Sequence, residues 1–528
     1  MTGRAFAEGM AGDADAVLVD GKVFTSDRAR PWARALAVRG ERLLAVGTNG
    51  QAERWAGRGT RIVDLRGRVV VPGFIDAHAH LADAAGELGW IALQGAASLE
   101  EAIERLRLAA GEAPPGAWVV GRDWDEAKWP ERRFPMREDL DRVSTRCPVC
   151  VVRIDGHVAS ANSRALEAAP DLRGVRGFEV DSSARPTGIL REDAVAALRT
   201  RIEPSEAMIS AKLAAMTARA HRLGITSIHD VVRLSGWRAY QRAHRAGRLR
   251  LRVYAMARNV LLPHLVDGGL MTGLGDAWLR LGAIKTWSDG SLGAYTAALG
   301  EPYAGRPGEK GMLLHAQHEL GDILATAHRV GFQTATHALG DEAIRRVLQV
   351  LEDVQSRFPR RDARHRIEHF ELPDEDILRR TKAAGVIASA QPNFIGQWSG
   401  PGDVYETRLG PGRAAGNNPY RRILRERIPL CFGSDGMPYG PLYGVHWAVN
   451  GFHADQRLSV EEAVRAYTYG GAYASFEASE KGTLSPGKLA DFVVLDGDPF
   501  GESERIARMR VASTWVGGTR AFPNASKR

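Results

Sequence analysis

Short apolar runs alternate with amphipathic stretches along the middle of the chain. The runs are rich in Val, Ile, Leu or Ala and are bounded by Gly, Pro or polar residues, which is typical of buried strands. Eight strands are predicted, at residues 69–76, 226–232, 249–257, 279–287, 332–337, 365–370, 386–391 and 429–434. Because most of them are followed by a stretch with helical periodicity, the pattern predicts an α/β fold with a closed parallel (β/α)8 barrel, the TIM barrel.

Two regions do not follow this repeat. A segment from about residue 85 to residue 222 separates the first predicted strand from the second. Because it is too long for a loop, we expect an inserted subdomain there. Residues 15–68 and 483–526 carry short alternating strands with turn residues between them. Since neither end has enough strands to bury a core, the two ends together predict one small β-sandwich, which leaves 69–482 as the catalytic barrel domain.

Histidines and one aspartate follow the ends of the predicted barrel strands. His78 and His80 end the first strand, and their alternation places both rings on one face. His337 and His369 end the fifth and sixth strands, and Asp435 follows the eighth. The carboxyl ends of all barrel strands meet at one face, where such enzymes keep their active sites. Four imidazoles and a carboxylate there predict a zinc-type metal site.

Motifs along almost the whole chain resemble the amidohydrolase superfamily, and in particular its YtcJ-like, or amidohydrolase-3, branch, which includes N-substituted formamide deformylase. The motif VPGFIDAHAH at residues 71–80 is similar to the opening signature of the superfamily. The other matching motifs are GRDWDE at 121–126, DGH at 155–157, NS at 162–163, PTG at 186–188, DGSLG at 289–293, HALGD at 337–341, RIEH at 366–369, QP at 391–392, GSD at 433–435, GTL at 482–484 and GKLAD at 487–491.

The resemblance implies a metal centre with one or two divalent ions, zinc being the expected metal. It implies His78 and His80 as ligands of the more buried ion, and His337 and His369 as ligands of the second. Lys285 matches a lysine that relatives carry in carboxylated form as a bridge between two ions, although a barrel-end lysine is often simply solvated. Asp435 matches the carboxylate that binds metal and shuttles the proton.

The function implied by the resemblance is hydrolysis of an amide-type carbon–nitrogen bond, other than a peptide bond, in a small molecule. Hydroxide formed from a water on the metal would attack the carbonyl, and Asp435 would move the proton to the departing amine. The alternative is deamination of a ring amine with a single metal. It is disfavoured because such relatives carry a glutamate three residues after the fifth-strand histidine, where this chain has Gly340 and then Asp341. A non-catalytic scaffold is disfavoured by the intact ligand set.

Several residues in these motifs are predicted to contact the substrate. The imidazoles and amides among them could orient the carbonyl or the amine, and the indole of Trp124 could hold a flat group. A structural role in the core is the open alternative for Trp124 and for His229. The predicted substrate-binding residues are Trp124, His157, Asn162, His229, Asp289 and Gln391.

Composition and charge bear on the class of protein and on where it acts. With 44% apolar and 25% charged residues among 528, the chain is globular, and it has no apolar run near the roughly 20 residues of a membrane span. The net charge of +8 comes from scattered arginines, which does not indicate nucleic-acid binding. Residues 1–14 lack a signal-peptide pattern, and three cysteines suit a reducing cytoplasm, where we expect the protein. The oligomeric state is left open, with a homo-oligomer as one alternative.

Overall fold

A (β/α)8 barrel lies at the centre of the computed structural model, which describes residues 13–523. The predicted α/β barrel is therefore confirmed. Residues 1–12, where no signal pattern is predicted, and residues 524–526 of the predicted sandwich lie outside the described residues. The barrel strands are consecutive neighbours in one sheet: β1 Phe74–Ala79, β2 Ile225–Val232, β3 Arg252–Arg258, β4 Leu279–Trp287, β5 Thr334–Ala338, β6 Arg366–His369, β7 Ile387–Ala390 and β8 Leu430–Phe432.

The first barrel strand begins later than the apolar run predicts. Val69–Pro72 belongs to a sheet made by the chain ends, and only Phe74–Ala79 belongs to the barrel, so the prediction of one strand at 69–76 is wrong. Gly73 separates the two strands, because an added Cβ there would lie 2.2 Å from Oγ1 of Thr226 in the second barrel strand. The close approach lets the chain pass from one sheet into the other.

The eighth strand meets the first through the residues that follow it. The amide of Asp435 donates to the carbonyl of His78 over 2.8 Å, and the amide of Ser434 donates to Oδ1 of Asp76, also over 2.8 Å. Gly433 allows this approach, since a Cβ there would lie 2.3 Å from the backbone nitrogen of His78. The contact that closes the barrel therefore also brings Asp435 to the first-strand histidines.

The segment between β1 and β2 forms a sheet of six strands with its own apolar clusters. In spatial order, its strands are Phe178–Val180, Pro186–Arg191, Val158–Ala161, Val149–Arg153, Val119–Trp124 and Ile91–Ala92. The buried guanidinium of Arg153 lies 2.8 Å from Glu126 and 2.6 Å from Asp155, and Ser291, in the loop after β4, donates to Asp155 over 2.6 Å. The bond from Ser291 therefore ties the insertion to the barrel face that carries the site.

The two ends of the chain form two further sheets, and residues of both sheets share one apolar cluster that includes Leu36, Val70 and Phe492. The four-stranded sheet has the order Arg42–Gly47, Ala35–Arg39, Ala16–Val19 and Arg61–Asp64. The six-stranded sheet has the order Thr519–Phe522, Val511–Val516, Phe492–Leu495, Val69–Pro72, Lys22–Phe24 and Trp32–Ala33. Strands from both termini thus lie side by side in the second sheet.

Helices such as Gln317–Arg329, Asp341–Arg357 and Glu375–Ala383 pack their apolar faces against the barrel strands in the largest core cluster. The helices are Asn49–Glu53, Leu81–Gly86, Leu99–Glu112, Arg137–Asp141, Ser163–Ala168, Asp193–Ile202, Glu206–Arg222, Leu234–Arg245, Leu262–Asp267, Gln317–Arg329, Asp341–Arg357, Glu375–Ala383, Asn393–Trp398, Val404–Leu409, Pro411–Ala415, Tyr420–Arg425, Pro441–Asn450, Val460–Arg465 and Gly471–Ala474. Within the described chain, none of them has the length and apolar character needed to cross a bilayer.

Candidate metal centre and active site

Three polar side chains converge where the first and eighth strands meet. Nε2 of His80 lies 3.1 Å from Oδ1 of Asp435, and Nε2 of His78 lies 3.7 Å from the same oxygen. One ligand atom from each residue lies within 4.8 Å of the others, which suits a single divalent ion. Burial opposes ionisation of Asp435, but its contacts with His78 and His80 outweigh burial and hold the pKa of this carboxyl below its usual range.

Two further histidines lie beside this group. The ring centres of His78 and His369 are 5.0 Å apart, and those of His369 and His337 are 4.4 Å apart. Burial lowers the pKa of all three imidazoles, so they are neutral at pH 7, as a metal ligand must be. The four predicted histidines and Asp435 are therefore brought together at one barrel face.

Hydrogen bonds fix which nitrogen of each buried histidine is available. Nδ1 of His78 lies 2.6 Å from Oε2 of Glu368, and Nδ1 of His369 lies 2.8 Å from Oε1 of Gln391. Nε2 of His337 lies 3.0 Å from the carbonyl of Gly290. Because carboxylate, amide and carbonyl oxygens accept, each bonded nitrogen carries the proton and the other has a free lone pair. The donor set therefore fits a metal.

Glu368 is itself held by a buried arginine. Nε of Arg366 lies 2.8 Å from Oε1 of Glu368, and both side chains are fully buried. Burial would raise the pKa of Glu368, but Arg366 and His78 hold it far below its usual range. Arg366 also donates to the carbonyl of Ala77 over 2.6 Å and to Oγ of Ser389 over 2.9 Å. The ion pair thus orients His78 and ties three barrel strands together.

Lys285 lies under the site in the fourth strand and is fully buried. Its Nζ lies 4.1 Å from the ring centre of Trp287 and 3.5 Å from the carbonyl of Thr286. Burial lowers the pKa of Lys285 to about 7, against the opposing charges of Glu368 and Asp435. A large fraction of this amine is therefore uncharged at neutral pH.

A cavity of about 540 Å³ opens above these residues. Its wall includes five predicted metal ligands, His78, His80, His337, His369 and Asp435. A second chamber of about 40 Å³ adjoins it and shares His337, His369 and Asp435, with an apolar wall that includes Leu339, Phe394 and Trp398. The site thus has one large and one small compartment that share part of the donor group.

The insertion contributes one predicted residue, His157, to both chambers. Nδ1 of His157 lies 2.8 Å from Oε2 of Glu192, and its ring centre lies 5.1 Å from that of His337. Burial would lower the pKa of His157, but the carboxylate of Glu192 raises it to about 9. His157 is therefore a cation at neutral pH, suited to donating hydrogen bonds to a ligand.

Three residues predicted to bind substrate lie behind the cavity wall and support other groups. Gln391 holds His369 as described above. Asp289 accepts hydrogen bonds from the amides of Leu339 and Gly340, just after His337, over 3.1 and 3.0 Å. Nδ1 of His229 lies 2.8 Å from Nη1 of Arg366, beneath the site. None of these three residues lines either chamber, so they support groups that do, and direct substrate contact by them stays a prediction.

Two other predicted residues are structural in the insertion. The amide oxygen of Asn162 accepts from the backbone nitrogens of Val149 and Ala165, and its amide nitrogen donates to two carbonyls, so it caps the helix Ser163–Ala168. Trp124 is fully buried and stacks on Trp129 with ring centres 5.9 Å apart. Capping and core packing thus occupy these two side chains, neither of which lines a chamber of the site.

Sequence reasoning missed the groups that orient the ligands, Glu368, Arg366 and Glu192. The alternation of Arg366 and Glu368 in a buried strand was a usable signal, since two opposite charges on one interior face must be paired. The pairing of Glu192 with His157 had no such signal, because it depends on how two strands of the insertion meet. Asp341, the residue near the glutamate position of deaminases, accepts from the amide of Gly300 over 3.0 Å and does not line either chamber.

A (β/α)8 barrel with imidazole and carboxylate donors at the carboxyl ends of its strands has the architecture of a metal-dependent barrel enzyme. The model of the amidohydrolase family matches residues 61–522, and the chain belongs to this family. It is therefore a metal-dependent hydrolase of the amidohydrolase superfamily, and the resemblance seen in the sequence motifs is confirmed.

Individual relatives match over most of their length. The protein LONG AFTER FAR-RED 3 of Arabidopsis thaliana is 30% identical over 97% of this chain and 92% of its own. N-substituted formamide deformylase of Arthrobacter pascens is 27% identical, over 96% and 97%. Among solved structures, an uncharacterized metal-dependent hydrolase from Pyrococcus furiosus has a TM-score of 0.73 and 31% identity, covering 92% of this chain and 99% of its own.

Proposed function

We propose that the protein hydrolyses a carbon–nitrogen bond of amide or formamide type, other than a peptide bond, in a small molecule. The observation that carries this proposal is the group of His78, His80 and Asp435 with donor atoms within 4.8 Å of one another, beside His337 and His369. One or two divalent ions held there, with zinc as the expected metal, supply Lewis acidity and lower the pKa of water. The similarity to a formamide deformylase supports this bond type.

Asp435 is the proposed proton carrier. Its Oδ1 faces the imidazoles of His78 and His80, while the side chain lines the cavity. A carboxylate in this place can take a proton from water and give it to the amine nitrogen as the carbon–nitrogen bond breaks. A departing amine needs that proton because an amide anion is a very poor leaving group.

Lys285 is proposed to carry a carboxyl group when two ions are bound. The uncharged amine would attack carbon dioxide, form a nitrogen–carbon bond and release one proton, which gives an anionic carbamate. The burial of Lys285 and its pKa of about 7 support this step, since only the free amine is nucleophilic. The new negative charge would offset the charge of a second cation.

The sizes of the two chambers favour a substrate with a small acyl group and a larger amine portion. The small chamber of about 40 Å³ beside Phe394 and Trp398 has room for a formyl or similarly short acyl group. The large chamber of about 540 Å³ would take the amine portion. The imidazolium of His157 lines both chambers, and in this proposal it would donate to the substrate carbonyl.

A screen tests the proposed reaction. Metal-loaded protein would be incubated with N-formyl, N-acetyl and N-benzoyl derivatives of one set of amines, and released amine would be measured. We expect release from the formyl and acetyl compounds and much less from the benzoyl compounds, because a phenyl ring does not fit about 40 Å³. Release of ammonia from ring amines, with no release from any amide, would replace the proposal with the deaminase alternative.

Asp435→Asn tests the proton carrier. The variant keeps the shape of the side chain but cannot accept a proton, so turnover should fall by on the order of 10²–10⁴, with smaller losses for amides of better leaving groups. Asp83→Asn, a change of the same kind in the wall of the same cavity, is the control and should lose far less. Near-normal turnover of Asp435→Asn on a poor leaving group would assign the proton transfer to another residue.

A further inference from the structure

Six arginines line the large chamber, and four of them are paired with carboxylates. Arg122 pairs with Asp123, Arg153 with Glu126, Arg199 with Glu87, and Arg233 with Asp83. These four guanidinium groups therefore have their charge balanced by the protein itself. The other two, Arg219 and Arg258, form no ion pair within residues 13–523 and lie on aromatic rings instead.

Arg258 is the more informative of these two. It ends the third barrel strand, and its guanidinium carbon lies 4.7 Å from the ring centre of Trp287, which also lines the chamber. Its Nε is buried and has no hydrogen-bond partner in the part of the chain that the structure describes. Burial and the charge of Arg233 lower the pKa of Arg258 to about 10, against the opposing charges of Asp83 and Glu203, so it stays protonated at neutral pH. A half-buried cation that no carboxylate contacts directly is costly unless a ligand supplies the anion.

We propose that Arg258 binds an anionic group of the substrate, a planar carboxylate or a tetrahedral phosphate-type group, against the face of Trp287. The guanidinium group presents several donors in one plane, which matches either anion with two parallel hydrogen bonds. The indole beneath it gives the adjoining part of the substrate an apolar surface.

The anion subsite lies within reach of the reacting bond. Arg258 is the register partner of Lys285 in the next strand, and Trp287 is the partner of His337 in the strand after that. Neighbouring strands are about 4.8 Å apart, so the subsite and the donor group are separated by roughly two strand spacings. One substrate of ordinary size can therefore contact both. The inference rests on the proposed function and adds a substrate class, amides whose amine portion carries an anion.

Binding measurements test the subsite without requiring turnover. Titration calorimetry on metal-loaded protein would compare 3-phenylpropanoate, 2-phenylethylphosphonate and the neutral 3-phenylpropanamide. We expect the better of the two anions to bind on the order of 10- to 100-fold more tightly than the amide, as a charged hydrogen-bonded pair implies. Tighter binding of the carboxylate or of the phosphonate identifies which anion the subsite takes.

Arg258→Gln should abolish this preference and leave binding of the neutral amide unchanged. Arg233→Gln is the matched control, since it removes the same charge from the same chamber but from an arginine already paired with Asp83 and Glu203, and it should change anion binding less than about 3-fold. Metal content and thermal unfolding would show that each variant is folded. If Arg258→Gln fails to fold, Arg258→Lys decides, because it keeps the charge, loses the planar fork and should lose several-fold in anion affinity.

Other outcomes would overturn the inference. Anion preference that survives in Arg258→Gln, or that disappears on chelation of the metal but not on this substitution, would place the anion on the metal. The amine-release screen separates the two proposals. Neutral amides hydrolysed with no anion preference would refute the subsite alone, whereas Arg258-dependent anion binding with no amide hydrolysed would refute the proposed reaction alone.

Discussion

Replacing Glu368 by Gln tests the claim that a buried ion pair sets the geometry of the metal centre. The substitution keeps the size of the side chain and removes its charge. Glu368 accepts from His78 over 2.6 Å and lies 2.8 Å from Nε of Arg366. The change would leave the guanidinium of Arg366 buried without a counter-ion and would weaken the hold on His78.

The size of the effect follows from these contacts. Removing one partner of a buried ion pair costs about 3–5 kcal/mol of unfolding free energy, because the remaining charge stays out of water. Arg366 keeps its bonds to Ala77 and Ser389, so we expect the lower end, about 3 kcal/mol. Loss of the group that orients a histidine ligand should weaken metal binding by about 10–100-fold.

Urea unfolding and metal titration measure the two effects, and Glu371→Gln is the matched control. Glu371 is also a buried glutamate near the site, but burial raises its pKa to about 8, so it is largely neutral at pH 7. Its replacement by Gln should therefore cost about 1 kcal/mol or less. Equal losses in both variants, or wild-type metal affinity in Glu368→Gln, would refute the reasoning.

Three further predictions concern ligands and pH. His369→Ala should lose most bound metal and turnover while staying folded, whereas His315→Ala, in the wall of the same cavity, should keep both. Elemental analysis measures the bound metal, and full metal content in His369→Ala would contradict the assignment of His369 as a ligand. Lys285→Ala should lose activity, and acetate or propionate should partly restore it if the bridge is a carboxylate; no rescue at any concentration would count against a carboxylated lysine. His328 and His365 are buried in contact, with Nδ1 of one 2.8 Å from Nε2 of the other. Nδ1 of His365 accepts from the amide of Thr334, and burial lowers the pKa of both rings, that of His365 to about 3. As the pH falls, the unfolded chain therefore takes up protons before the folded protein does. The unfolding free energy that these rings contribute above about pH 6.5 should be lost at lower pH, by about 2 kcal/mol between pH 7 and 5 for His365 alone. Urea unfolding of wild type and His365→Gln checks this, and equal pH slopes would contradict it.

The barrel could be predicted because its strands are continuous apolar runs separated by amphipathic helices. The prediction went wrong at the first strand, where two short strands in different sheets read as one run at 69–76. Hydrophobicity does not change across Gly73, so only the close approach to Thr226 shows the break. The sheet partners of Val69–Pro72 are Lys22–Phe24 and, from the other end of the chain, Phe492–Leu495, which a local pattern cannot show.

Residues at strand ends were predicted better than residues that depend on tertiary contacts. His78, His337 and His369 follow apolar strands, so the topology alone gathers them. Asn162 and Trp124 lie in motifs of the insertion, and nothing in their spacing shows whether a side chain faces a cavity or a helix end. Arg258 was missed although it directly follows the third predicted strand, because its meaning depends on which neighbouring arginines have carboxylate partners.

The closure of the barrel and the assembly of the site are one event. His78 and His80 come from the first strand and Asp435 from the residues after the last, so their donor atoms come together only when Asp435 donates its amide to His78. In the unfolded chain these residues are separated by more than three hundred positions. A ligand that binds only the closed form stabilises it by RT ln(1 + [L]/Kd), about 2.7 kcal/mol at a hundred times Kd. The contact between β1 and β8 therefore gains stability from an ion held by His78, His80 and Asp435, the same ion that the chemistry requires.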